Sequence, residues 1–228
     1  MNKKIMATFA VLIFALSAAG LVYAHWSDMV YIEATVEMGS LTFGFGEIVR
    51  EWDWEYYADE KEVAEGVCTL SEPETDVHTG KTVYKLLTFT ITAAYPQYWA
   101  INKYTLDNAG TIPVKIQSVT IKLPAGFTAV ESATYPGVMW EIYDDRTPAK
   151  LVYNIWLYKQ GPGWPANDPP WELVAAGFTL PPFKGNQLEP CTPEYAEICV
   201  DPKQDAEECH TYTFSIEIEA IQWNKYTP

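Results

Sequence analysis

The stretch "TYTFSIEIEA", residues 211–220, alternates apolar and polar side chains over its whole length. Its apolar positions are Tyr212, Phe214, Ile216, Ile218 and Ala220. Successive side chains of a β-strand point to opposite faces of the sheet, so this period of two predicts a strand with one buried face. An antiparallel sheet that covers a core on one side produces this pattern.

Four further segments have strand character: "LLTFTITAA" (86–94), "VMWEIY" (138–143), "LVYNIWLYK" (151–159) and "PVKIQSVTIKL" (113–123). In the last of these the apolar phase changes, which predicts a β-bulge near Gln117 and Ser118. Gly-, Pro- and Asp-rich turns such as "DNAG" (107–110) and "DDRTP" (144–148) separate the segments. We expect seven to nine strands with long irregular loops. The predicted fold class is therefore all-β, an antiparallel jelly roll or β-sandwich.

The N-terminal segment has the features of a secretory signal peptide. Lys3 and Lys4 precede an apolar run, Ile5–Leu16, and Val22 and Ala24 supply small residues at the −3 and −1 positions of a cleavage site. An uncleaved membrane anchor is the alternative, since the segment is long enough to cross a bilayer as a helix. We expect cleavage after Ala24, with no stable membrane span afterwards. The predicted organisation is a signal peptide (1–24), an N-terminal strand segment (25–45) and a β-sandwich domain (46–228).

The chain is acidic, with a formal net charge of −15. Removal of residues 1–24 takes away two lysines and no acids, which moves the charge to −17. Such a field repels nucleic acid and anionic lipid, so we expect no nucleic-acid partner. The candidate calcium ligands are Asp53, Glu55, Asp59, Glu60, Asp144, Asp145, Asp201 and Asp205. They lack the spacing of an EF-hand, and solvation of the surface is the alternative reason for these acids.

All four cysteines, Cys68, Cys191, Cys199 and Cys209, lie in the part expected to be exported. Disulfides persist outside the cell, and the cysteine spacing lacks the close pairs of a zinc site. We therefore expect disulfides, of which three connectivities are possible. The segment 190–209 contains three of these cysteines and little periodicity, and we expect it to be a surface loop held by disulfides.

The sequence offers no catalytic constellation. Its histidines are His25, His78 and His210, and it contains neither H-E-x-x-H nor G-x-S-x-G. We therefore expect a protein that is not an enzyme.

Nine tryptophans and fifteen tyrosines suggest an exported carbohydrate-binding or carbohydrate-active sandwich as an alternative function. Because these aromatic residues are scattered over several loops, we expect them mainly in the core and in contacts between subunits.

A second alternating strand lies close to the predicted cleavage site. Its apolar face consists of Val30, Ile32, Ala34 and Val36, opposite Tyr31, Glu33, Thr35 and Glu37. No hairpin partner precedes it, and an unpaired strand is an aggregation hazard. Two arrangements remain open. The strand pairs within its own sandwich, or it completes the sheet of a neighbouring subunit by strand addition.

The stretch "AHWSDMVYIEATVEMGSL" (24–41) resembles the start of proteins in the TasA and camelysin group. The segments "AAYPQYWAINKYTLDNAGTIPVKIQSVTI" (93–121) and "TYTFSIEIEAIQWN" (211–224) are similar to archaeal relatives of that group, the bundling-pilus subunits. The resemblance implies a jelly-roll subunit that polymerises head to tail by donating its N-terminal strand. The implied donor residues are Trp26, Val30, Ile32, Ala34 and Val36.

The resemblance further implies a secreted protein whose main partner is itself. The implied homopolymer is an extracellular filament on an archaeal cell surface, with a role in a biofilm matrix or in cell–cell adhesion. Camelysin carries a protease label within that group, but this chain lacks recognisable protease ligands.

Overall fold

The computed structural model describes residues 3–24, 39–55, 64–96, 98–146, 148–161, 168–207 and 210–226. The chain divides into two compact units, Met1–Met38 and Gly39–Pro228. The second unit begins earlier than the predicted domain boundary at residue 46. In the first unit the described element is helix α1, Lys3–Ala24, which coincides with the predicted signal peptide. Among the described residues, no helix has both the length and the hydropathy needed to span a membrane.

The second unit is built from antiparallel strands. They are β1 (Phe43–Glu55), β2 (Glu65–Thr75), β3 (Thr82–Ala94), β4 (Tyr98–Asn108), β5 (Val114–Lys122), β6 (Phe127–Glu131), β7 (Met139–Asp144), β8 (Lys150–Lys159), β9 (Gln187–Leu188), β10 (Glu194–Pro202) and β11 (His210–Gln222). A short helix, α2 (Pro170–Ala175), follows β8, and a 3-10 turn, Trp223–Lys225, follows β11. The predicted all-β class is confirmed.

The strands form a curled sheet in the order β6-β7-β8-β10-β4-β1-β3-β11-β5-β9, and β2 pairs with the other side of β3. The β1–β3 contact that joins the two halves of the sheet is narrow. It consists of one register pair, Phe45 with Tyr84. At this point the carbonyl oxygen of Tyr84 would lie 2.4 Å from a Cβ on Gly44, so the two backbones can approach only because residue 44 is glycine.

The main core fills the space between the two halves of the sheet. It combines Phe43 and Phe45 of β1, Phe89 of β3 and Phe214 of β11 with the inner faces of β4, β8 and β10. Phe89 and Phe214 stack at 5.5 Å between ring centroids. Burial of such large side chains supplies about 1.5 to 3 kcal/mol each, which is the main force that holds the two halves together.

A second, smaller core lies on the outer face of β4, β8 and β10. It contains Ile101, Trp156, Tyr158 and Cys199, and Leu173 of α2 packs onto it. These strands are therefore buried on both faces, which explains why "LVYNIWLYK" is apolar at nearly every position. The contact of Leu173 with this outer core holds α2 against the sheet.

Several predicted elements are present. β3, β7, β8 and β11 match four of the predicted strand segments. The predicted bulge is confirmed, because Glu219 pairs with Ser118 whereas Ala220 pairs with Ile116, which leaves Gln117 as the extra residue. The structure contains more strands than the seven to nine expected, since β1, β6 and the two-residue β9 have weak sequence signals.

The prediction of a surface loop over residues 190–209 is wrong for the middle of that segment. β10 occupies Glu194–Pro202 and lies between β4 and β8 in the interior of the sheet. Ala196, Ile198 and Val200 face the main core, and Cys199 is fully buried on the opposite face. The cysteines concealed this strand, because a buried free cysteine behaves as a small apolar side chain.

Candidate functional site

Strands β1 and β11 leave β3 at neighbouring positions and enclose a groove. Tyr84 pairs with Phe45 of β1, and Leu86 pairs with Glu217 of β11, so the two strands part at Lys85. The groove has a volume of about 430 Å³. We call it the strand slot and define it by its lining residues: Leu41, Phe43, Lys85, Gln117 and Ile218–Ile221.

One wall of the strand slot is the edge of Ser40–Phe43. The carbonyl groups of Ser40 and Thr42 accept hydrogen bonds from the N–H groups of Thr111 and Gly110, each at 3.0 Å, on the side away from the slot. Because alternate residues of an extended strand direct their backbone groups to opposite sides, Leu41 and Phe43 direct theirs toward the slot. The Phe43 carbonyl accepts a hydrogen bond there from the Lys85 ammonium.

The other wall is the end of β11. Glu217 is the last residue of β11 that pairs with β3, whereas β11 continues to pair with β5 as far as Gln222. Within the described part of the chain, no strand pairs with Ile218–Gln222 on the slot side. Five residues of strand span about 16 Å, so this wall of the slot exposes a backbone edge of useful length.

The floor of the strand slot is the main core. Phe43 is 2% and Ile218 is 8% exposed, and Ala220 packs against the same core. Leu41, at the slot wall, is 41% exposed. An apolar side chain that entered the slot from outside would therefore extend the main core.

The chain enters the second unit beside this slot, where Asp76 holds it in place. The Asp76 carboxylate accepts hydrogen bonds from the Thr42 hydroxyl and from the N–H groups of His78 and Thr79, each at 2.9 Å. Hydrogen bonding from Ser40 lowers the pKa of Asp76 most, and burial raises it. Further hydrogen bonds from Thr79, Thr42 and His78 lower it again, so the pKa of Asp76 lies well below its usual range. The first residues of the unit are thus fixed against the β2–β3 turn.

The predicted donor residues, Trp26, Val30, Ile32, Ala34 and Val36, lie outside the described residues. Their pairing stays a prediction. The structure adds the strand slot, which sequence reasoning missed. The slot is formed by strand ends that are far apart in the sequence. No local sequence pattern predicts that β1 and β11 diverge there.

The predicted disulfides are not formed among the described cysteines. Cys68, Cys191 and Cys199 are free thiols, and Cys209 lies outside the described residues. Cys68 belongs to the main core and Cys199 to the outer core, so the sheet separates the two thiols. Burial raises the pKa values of both thiols far above the ordinary value, which makes them unreactive.

The candidate calcium ligands do not come together in the described residues, where no group of three or more His, Cys, Asp or Glu side chains could hold a metal ion. Asp144 pairs with Arg146, Asp201 with Lys203, and Asp205 with Lys150. Asp53 accepts a hydrogen bond from Tyr98, and Asp145 accepts one from Thr128. The side chain of Glu55, together with Asp59 and Glu60, is outside the description.

Three tryptophans, from β4, β8 and α2, line one pocket. This aromatic pocket has a volume of about 340 Å³ and is lined by Pro96, Trp99, Trp156, Trp171, Asp201, Pro202, Lys203 and Gln204. The rings of Trp99 and Trp171 lie 4.5 Å apart between centroids at an interplanar angle of 56°. The expectation that aromatic residues serve mainly the core is correct for Tyr98, Tyr104 and Tyr153, and also for Trp156 of the outer core. The expectation that they are scattered is wrong for the three tryptophans of this pocket.

Asp201 is the carboxylate of the aromatic pocket. It accepts a hydrogen bond from the indole N–H of Trp99 at 3.2 Å and pairs with the ammonium of Lys203. Burial raises the pKa of Asp201, and the charge and hydrogen bonds of its two partners oppose that rise. The pocket therefore presents aromatic faces beside a carboxylate and an ammonium that neutralise each other.

A scan of protein-family models and searches of curated proteins and of solved structures find no match to this chain.

Proposed function

We propose that this protein is a secreted, non-enzymatic structural subunit that polymerises into an extracellular filament. In this proposal the strand at Val30–Val36 of one subunit enters the strand slot of the next. The observation that carries the proposal is the slot itself, a gap between β1 and β11 that opens onto the core and whose two edges have no strand partner among the described residues.

The chemistry of the slot fits an alternating strand. The backbone edges of Leu41–Phe43 and of Ile218–Gln222 offer donors and acceptors for strand addition. Val30, Ile32, Ala34 and Val36 place four apolar side chains on one face, which suits the apolar floor formed by Phe43 and Ile218. Their burial gives a gross gain on the order of several kcal/mol before the costs of ordering.

A donor strand and an acceptor slot favour an open chain of subunits. The donor segment precedes the second unit in the sequence, and donor and acceptor are different surfaces. A contact between two different surfaces is heterologous, and it produces a filament when the rotation between subunits does not close a ring. Each subunit then offers one donor and one empty slot.

The test is electron microscopy of purified secreted protein. Ile32→Asp places a charge in the slot, so we expect no filaments, whereas Glu33→Asp on the opposite face should polymerise normally. A synthetic peptide of residues 25–37 in excess should shorten wild-type filaments by occupying free slots. Strand donation is wrong if Ile32→Asp forms normal filaments. It is also wrong if Ile32→Asp destroys the fold of the monomer while the excess peptide has no effect on wild-type assembly.

A variant of the slot gives an independent test. Leu41→Asp charges the wall of the slot, and Val49→Asp is its matched control, since the two side chains are 41% and 43% exposed. Both variants should secrete and fold, because neither residue is buried. We expect filaments from Val49→Asp alone, and equal polymerisation by the two variants would rule out the slot as the acceptor.

A further inference from the structure

The aromatic pocket is separate from the strand slot. Trp99 belongs to β4, Trp156 to β8 and Trp171 to α2, whereas the slot is formed by β1, β3, β5 and β11. The pocket lies beside the outer core, and the slot opens onto the main core. The proposed strand donation therefore does not involve the aromatic pocket.

The shape of the pocket fits a small ring-shaped ligand. Its volume of about 340 Å³ lies at the low end of the roughly 300 to 1,000 Å³ typical of small-molecule sites. Trp99 and Trp171 are both partly exposed, and their tilted rings form adjoining walls. Trp156, which is only 5% exposed, supports the pocket from the sheet.

The charge of the pocket selects the chemical class of that ligand. Aromatic cages for quaternary ammonium ions attract a cation by the faces of the rings. Here the ammonium of Lys203 already neutralises Asp201 and would repel a second cation. The protein as a whole carries a charge of −15, which disfavours an anion. A neutral ligand is the class that remains, and the tryptophan faces beside polar lining groups suit one with an apolar face and several hydroxyl groups.

We propose that the aromatic pocket binds a neutral hexose unit of a glycan. The C–H groups on one face of a pyranose ring carry a partial positive charge and stack on the negative face of an indole. The sugar hydroxyls bond to the polar groups that line the pocket, which are Asp201, Lys203 and Gln204. Hydrolysis by the usual pair of carboxylates is not part of this proposal, because Asp201 is the one carboxylate that lines the pocket as described.

Such a site gives the protein a means of attachment to polysaccharide. It is independent of polymerisation, so a subunit that cannot donate its strand should still bind sugar. Conversely, a subunit with an altered pocket should still form filaments. The two proposals can therefore fail separately.

The test is a fluorescence titration of the full-length purified protein with neutral oligosaccharides, namely cellotetraose, maltotetraose, mannotetraose and chitotetraose. We expect at least one of them to change the tryptophan emission in a saturable way. Trp171→Leu keeps an apolar side chain against the outer core but removes the aromatic face, so it should weaken binding by about tenfold or more. Trp171→Tyr should retain most of the affinity, and Trp223→Ala, an exposed tryptophan outside the pocket, should match the wild type.

Tetramethylammonium chloride and a polyproline peptide are titrated in parallel as ligands of other classes, and thermal melting verifies that each variant is folded. Saturable binding of a sugar that Trp171→Leu weakens and Trp171→Tyr preserves supports the proposal. It is overturned if no oligosaccharide binds, if Trp171→Leu binds as well as Trp223→Ala, or if the ammonium salt or the peptide binds in place of the sugars.

Discussion

The ammonium of Lys85 donates a hydrogen bond to the carbonyl oxygen of Phe43, at the point where β1 and β11 part. The same ammonium pairs with Glu74 at 2.8 Å. The Lys85 side chain thus takes the place of a backbone N–H donor at the end of the strand slot where β1 and β11 diverge. It satisfies one carbonyl group on an edge that otherwise lacks a strand partner among the described residues.

Replacement of Lys85 by methionine should lower the stability of the isolated subunit. The change removes a hydrogen bond from a charged donor, which is worth about 1 to 3 kcal/mol, while the apolar stem of the side chain is kept. Denaturant unfolding of a polymerisation-deficient background such as Ile32→Asp measures the effect. Lys184→Met, at an exposed position, is the control, and equal midpoints for the two variants would contradict the role of Lys85.

Asp76→Asn should lower the melting temperature at neutral pH, because the carboxylate accepts charge-assisted hydrogen bonds where the chain enters the domain. The pKa of Asp76 is lowered in the folded state. Its stabilisation is therefore present above the unfolded-state pKa of about 4 and is lost as the pH falls toward the folded-state pKa. Melting curves between pH 7 and pH 2.5 should show the wild type and the variant converging at low pH. A constant difference across this range would mean that the carboxylate charge is not what matters.

Glu197→Gln should raise the melting temperature at pH 8. Glu197 is 6% exposed and accepts a hydrogen bond from the Tyr158 hydroxyl at 3.0 Å. Burial raises the pKa of Glu197 above its ordinary value, so the ionised form destabilises the folded state at high pH. A glutamine can still accept the bond from Tyr158 and carries no charge. The gain should shrink as the pH falls and the wild-type carboxyl group becomes protonated. Destabilisation at pH 8 would contradict this assignment.

The cysteines should differ in reactivity. Under native conditions iodoacetamide should modify the exposed Cys191, whereas Cys68 and Cys199, which are 5% and 0% exposed, should react only after denaturation. Intact-mass and peptide mapping with and without guanidinium measure this. A disulfide that involves Cys68 or Cys199 in native secreted protein would contradict the assignment of these two thiols as free.

Local alternation was sufficient to predict β3, β7 and β11, because each of these strands has contrasting faces, and a continuous apolar run predicted β8. The bulge at Gln117 was also predictable, since an extra residue shifts the apolar phase of one strand. β10 was missed although Ala196, Ile198 and Val200 alternate. Cys191, Cys199 and Cys209 suggested a loop, whereas burial of Cys199 on the outer face makes it part of a central strand.

The two candidate sites depend on tertiary structure. The strand slot requires that Leu41 and Ile218, which are remote in the sequence, line one gap. The aromatic pocket requires that Trp99, Trp156 and Trp171 converge from three elements. Neither arrangement follows from spacing along the chain. The donor strand, in contrast, was predicted from its alternation and from the resemblance, and its pairing stays a prediction.

The central claim is that the donor strand and the strand slot are separate halves of one contact between subunits. Mixing two defective variants tests this claim most directly. Ile32→Asp lacks a working donor but keeps its slot, and Leu41→Asp lacks a working slot but keeps its donor. Each alone should be monomeric by size-exclusion chromatography with light scattering. Their equimolar mixture should form heterodimers that do not grow, because one donor and one slot are used and none remain. Persistence of monomers in the mixture, or filament growth from either variant alone, would contradict donation of the N-terminal strand.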